Sequence, residues 1–160
     1  MSEILGTLFK YLVSLLGVAA VVLILYQVFG SNKTQNAISD ITLLQTNAQA
    51  LYNAQNTFTT LTTAVAIGGK LAPTNMISGA TLVNPWGGTV LINVNADNSS
   101  QFDITEPSVP ADACAKMVVG LSTAVALKVN TVTQTLPLDA GAAVTACNTA
   151  ANTLIFTFAH

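Results

Sequence analysis

The chain has 160 residues, room for one soluble domain of ordinary size once a terminal apolar stretch is set aside. Only 8% of residues are charged against 51% hydrophobic, arginine is absent, and the five lysines stand apart at positions 10, 33, 70, 116 and 128. No basic patch exists, so direct nucleic-acid binding is not expected. With a formal net charge of −2 and a composition rich in Thr, Asn, Ser, Gln and Ala, copies repel one another weakly, which suits a subunit that packs against itself.

Glu3 opens a run in which only Ser14 and Gln27 are polar between Tyr11 and Phe29, roughly the 20 residues that cross a bilayer core. A cleaved secretory signal would start positive, carry a shorter apolar core and end in small residues. This segment starts with an acid and runs long, so it is read as retained. An acid at the head of an apolar span costs free energy unless a cation meets it or water reaches it. Lys10 must snorkel or find a carboxylate. Two turns separate it from Glu3, too far for an adjacent-turn pair within one helix but within reach between helices. Gly17 weakens a helix by about 1 kcal/mol relative to Ala, and equally permits close packing or local stretching.

From 33 to 55, Ala37, Ile38, Ile41, Leu44, Ala48, Leu51 and Tyr52 recur at spacings of three and four and define one helix face, with Asn36, Asp40, Gln45 and Gln49 opposite. No Pro interrupts residues 3–56, so the pattern predicts one long helix, with residues 30–32 the weakest point. Residues 59–67 read as a short helix stopped by Gly68 and Gly69. The Thr-rich region through Ser78 has no period long enough for a core element and is taken as surface, a candidate subunit contact. Asn84-Pro85-Trp86-Gly87-Gly88 reads as a rigid corner: Pro fixes φ, glycines open conformations closed to other residues, and the indole buries a large ring.

Residues 89–94 and 101–105 read as strands flanking the polar hairpin loop 95–100. Pro110 and Asp112 open a helix through Leu121. Residues 125–132 read as a strand, 139–149 as a short Ala-rich helix and 154–158 as a final strand. The fold class is therefore α+β: a long N-terminal spine helix, apolar then amphipathic, packed on an antiparallel sheet. The organisation is 1–30 as apolar membrane or filament-core helix and 31–160 as soluble head, with 31–56 the amphipathic half of the spine and 57–160 the loop, sheet and C-terminal region.

Cys114 and Cys147 lie thirty-three positions apart. One terminal histidine cannot complete a zinc set, and a redox pair would be closely spaced. A structural disulfide fits best and implies an oxidising compartment, with free thiols as the alternative. His160 allows no nucleophilic triad, so the chain is read as non-enzymatic. Asp97, Asp103, Glu106 and Asp112 lack the Gly-centred spacing of a calcium loop and read as a solvated acidic rim; no metal or cofactor is expected.

Taken in order, Glu3 at the head of the apolar helix, Leu25-Tyr26 followed by the polar Asn32-Lys33, the Asn84 to Gly88 corner and the two C-terminal cysteines resemble a type IV pilin. The likeness is to the type IVb branch, which includes thin-pilus pilins of conjugative plasmids and enteric bacteria, and it spans essentially the whole chain. Ahead of Glu3 stands only Met1-Ser2, where a pilin precursor carries a leader ending in Gly. The resemblance implies a major pilus subunit, held in the inner membrane and handed by assembly machinery there into an extracellular helical filament of identical copies. It implies that Glu3 is an assembly contact meeting the N-terminal amine of a neighbouring subunit. Cell-to-cell or surface attachment, with conjugative mating stabilisation as one instance, is the expected role. A minor pilin or secretion-system pseudopilin, and a membrane-anchored periplasmic binding domain, are the alternatives.

Overall fold

The computed structural model describes the backbone of residues 2–160, and the side chains of all these except 2, 3, 5 and 23–31. A helix α1 runs from Ser2 to Tyr52 without a break, residues 30–32 included. No proline falls within it to remove a hydrogen bond or clash with the preceding turn. The chain divides into two compact units, Met1–Asn32 and Lys33–His160. In the first, every described side chain from 4 to 22 is exposed, with Leu16 at 69%. Among the described residues no helix is long and apolar enough to cross a membrane.

The second unit is built on a seven-stranded antiparallel sheet. Its strands are β1 (Ile77–Ser78), β2 (Thr81–Val83), β3 (Thr89–Val94), β4 (Gln101–Val109), β5 (Ala126–Val129), β6 (Val132–Gln134) and β7 (Asn152–Ala159). They lie side by side in the order β1-β2-β3-β4-β7-β5-β6. Period-two alternation sends Val90 and Ile92, Phe102 and Ile104, Leu127 and Val129, and Leu154, Phe156 and Phe158 to one buried face. Ala37, Ile41, Leu44, Ala48 and Tyr52 of α1 belong to the same core, at the spacing that the sequence indicated. Rings mesh through it: Phe58 lies 4.7 Å from Phe102, Phe102 lies 5.6 Å from Phe158, and His160 stacks on Phe58 at 4.2 Å.

Three helices complete the head: α2 (Thr63–Gly68), α3 (Ala111–Gly120) and α4 (Ala140–Ala146). α2 begins later than residue 59 because Thr62 caps it, accepting from the Val65 amide. The region taken as surface is part of the core. Phe58, Leu61, Ala66, Leu71, Ala72 and Met76 are all buried, and β1 and β2 follow from it. Isolated apolar residues among threonines carry no period, yet each fills a gap beside the sheet. The single strand expected over 125–132 is two, β5 and β6, turned at Asn130, whose φ of 53° suits a short amide side chain. β4 continues past the expected end at Thr105, and its register shifts between Glu106 and Val109 where Pro107 cannot donate to the ladder.

Candidate functional site

The residues singled out by sequence fall into three places. On α1, Lys10 and Gly17 lie in the exposed apolar run, and a Cβ at Gly17 would meet nothing within 4 Å. The Glu3 side chain, and with it the expected assembly carboxylate, lies outside the described residues. Leu8, Phe9, Tyr11, Leu12, Leu15 and Val18 are each more than half exposed, a contiguous greasy surface on one chain.

The corner at 84–88 does more than turn the chain. Asn84 Oδ1 accepts from the amides of Trp86 (3.1 Å) and Gly88 (2.8 Å), closing an Asx turn, while its own amide donates to Gly88 O at 3.0 Å. Gly87 sits at φ 82°, where a side chain is strained. A Cβ on Gly88 would run into the Pro107 carbonyl and stand 3.0 Å from Asn84 Nδ2. Gly88→Ala is therefore expected to cost about 1–3 kcal/mol, read from urea melts, with little change in secondary structure. Trp86 is half-buried against the core.

Asn84 Nδ2 faces inward and donates to Pro107 O at 2.6 Å and to Glu106 Oε2 at 3.0 Å. Glu106 is only 1% exposed, which corrects the expectation of a solvated acidic rim. It follows Phe102 and Ile104 on the inward face of β4. Burial, reinforced by the charge of Asp40 and partly offset by the Asn84 hydrogen bond, pushes its carboxyl up to about 8. Asp40, on α1, is also buried; its carboxyl is raised by burial, with the hydrogen bond from Asn75 Nδ2 (2.8 Å) pulling the other way. Asp103 points to the other face of β4, where Asn95 Nδ2 donates to both its oxygens at 3.0 Å and Thr157 Oγ1 donates at 2.7 Å. No group of three or more His, Cys, Asp or Glu gathers to hold a metal among the described residues.

The third place is the C-terminal region, where Cys114 of α3 is bonded to Cys147, the residue that ends α4, with Cα atoms 5.8 Å apart. Asp139 caps α4, accepting from Gly141 N at 2.8 Å and Ala142 N at 3.0 Å. Between the two helices lies a groove of about 540 Å³, its walls including Ala115, Val119 and Val144.

A long helix, an antiparallel sheet and a disulfide that staples α3 to α4 make up the described chain. The PilS N-terminal family model matches residues 31–159. The chain belongs to the PilS family of type IVb pilins. No curated protein matches the pilin in sequence. Among solved structures, the type IVb pilin of Salmonella typhi resembles it at 22% identity and a TM-score of 0.64, covering 79% of this chain and 99% of that one. The solution structure of the Salmonella typhi PilS pilin gives 22% identity and a TM-score of 0.58, with 79% and 96% covered. The type IV pilin TcpA of Vibrio cholerae El Tor gives 15% and 0.56, with 79% and 98% covered. At these identities the likeness is one of fold.

Proposed function

We propose that this pilin is the major structural subunit of an extracellular type IVb pilus, polymerising through residues 1–30 and carrying no catalytic activity. The observation that supports it best is the exposed apolar run on α1. Every described side chain from 4 to 22 faces solvent in the single chain, a surface that water alone does not keep uncovered. Before assembly the inner membrane covers it, the sequence run continuing apolar through 23–26. In the fibre, the same segments of identical neighbours cover one another, delivered by machinery at that membrane. Glu3 then meets the N-terminal amine of the next copy, Lys10 offers a second inter-subunit contact to it, and Gly17 lets helices approach closely. The low charge of the head lets heads crowd on the fibre surface, and attachment between cells, conjugative mating included, is the use such a fibre serves.

Electron microscopy of sheared surface material, with an antibody to the head, tests the reading. Wild-type cells are expected to yield labelled fibres, and Glu3→Ala cells to yield few or none while the head keeps its fold in detergent extracts. Fibres of ordinary number from Glu3→Ala would remove Glu3 from assembly; absence of labelled fibres from the wild type would remove the pilus reading itself.

A further inference from the structure

The two buried acids of the head are held in the same way. Asp40 accepts from Asn75 and Glu106 accepts from Asn84, so each carboxyl has a carboxamide partner in place of a cation among the described residues. Both asparagines belong to one connecting segment, residues 74–88, which contains a 3₁₀ turn (Thr74–Met76), β1, β2 and the corner. That segment is the thin edge of the sheet. β2 pairs with β3 at only two registers, Leu82 with Val90 and Val83 with Thr89, and β1 pairs with nothing but β2.

Among the described residues, none supplies Glu106 with a neutralising charge. α1 presents Asp40, an acid, and its charge acts on Glu106 unfavourably. β3, β7, the 3₁₀ turn and the corner contain no titratable side chain at all, and Asp103 of β4 points to the opposite face. Protonated, Glu106 is an ordinary hydrogen-bonding group at a buried position. Ionised, Glu106 is a buried charge that also feels the like charge of Asp40, and contact with water is the remaining relief. The segment between the two acids and water is the least firmly paired part of the sheet.

We propose that residues 74–88 form a proton-gated flap, closed over Asp40 and Glu106 while Glu106 is protonated and swinging off α1 and β4 when it ionises. The hydrogen bonds of Asn75 and Asn84 are its two latches, and Leu82 and Met76 are the apolar contacts that close it. Opening unpairs the β1–β2 edge and leaves β3 to β7 intact. Because Glu106 resists ionisation until about pH 8 when closed and regains its ordinary 4.5 in water, the opening constant rises about tenfold per pH unit between these limits.

The chain carries its own reporter, since Trp86 is its sole tryptophan and sits in the flap. The test is acrylamide quenching of Trp86 in the full chain in neutral detergent, from pH 5.5 to 8.5, beside far-ultraviolet circular dichroism. Wild type is expected to become more quenchable as pH rises while the dichroism holds, and Glu106→Gln to stay at the low-pH level throughout. Hydrogen exchange gives the second readout: corrected for intrinsic rates, protection of 74–88 falls about a hundredfold from pH 5.5 to 7.5 and stays below that of β4 and β7. Quenching that does not change with pH, or that rises only as the dichroism collapses, overturns the flap. So does flap protection equal to that of β7 at every pH. The wild-type titration decides the matter even where a variant does not fold.

Discussion

Raising the pH from 5 to 8 is expected to lower the unfolding free energy of the head by about 1.4 kcal/mol per unit, on the order of 3–4 kcal/mol in all. The cause is one carboxyl. Unfolded, Glu106 titrates near 4.5; folded, it holds its proton up to about 8. Between these values unfolding releases a proton, so alkali favours the unfolded chain. The contribution of Glu106 is whole below its unfolded value and is lost as pH rises through the folded one. Asp40, raised as well, acts in the same direction. Urea titrations of the full chain in neutral detergent at several pH values measure the slope. Glu106→Gln keeps an acceptor for Asn84 without the charge and is expected to flatten it, making the variant the more stable protein at pH 8. An undiminished slope in that variant would place the linkage elsewhere.

Replacing both cysteines by alanine is expected to destabilise the head by about 3–4 kcal/mol, the loop-closure entropy of a bond across a separation of 33 residues. For a unit of this size that is about 10–15 °C in melting temperature, and reduction of the wild type should give the same shift. The loop so closed contains β5, β6 and α4, and only β5 is tied to the rest of the sheet, through β7. The loss should therefore be felt first around α3 and α4, whose hydrogen-exchange protection is the local readout. A double variant within 1 kcal/mol of wild type would mean that packing alone orders this region.

Where a residue's role follows from its neighbours in sequence, it could be read. The amphipathic half of α1 declared itself because its apolar residues repeat at the helical period over several turns. The β3–β4 hairpin did so because a polar loop separates two β-rich runs, and the two cysteines because few chemistries remain for them. The failures share a cause of a different kind. Leu61, Leu71 and Met76 are buried by elements distant in sequence, and no local period marks them. The sequence pattern carried β4 only to Thr105, yet the strand continues through the register shift between Glu106 and Val109 with Ser108 at φ 60°. Had the alternation of Phe102 and Ile104 been carried one step further, it would have put Glu106 inside. The amide of Asn84, four residues from the glycine it caps, was the other sign that a polar group needed a partner there. A buried acid looks in sequence like any exposed one, because the partner that makes it tolerable is supplied by the fold.

The borders of the sheet carry a consequence for life in a crowd. Its outermost strands, β1 with two residues and β6 with three, are both short, so each rim offers few unpaired amides and carbonyls. A longer rim would be a template on which another head could lay its own strand, and heads held side by side would find one another continually. Clipping both rims leaves lateral ladder formation little to start from. Copies brought to high local density would thereby keep their β-structure private, with association left to surfaces that do not propagate as amyloid.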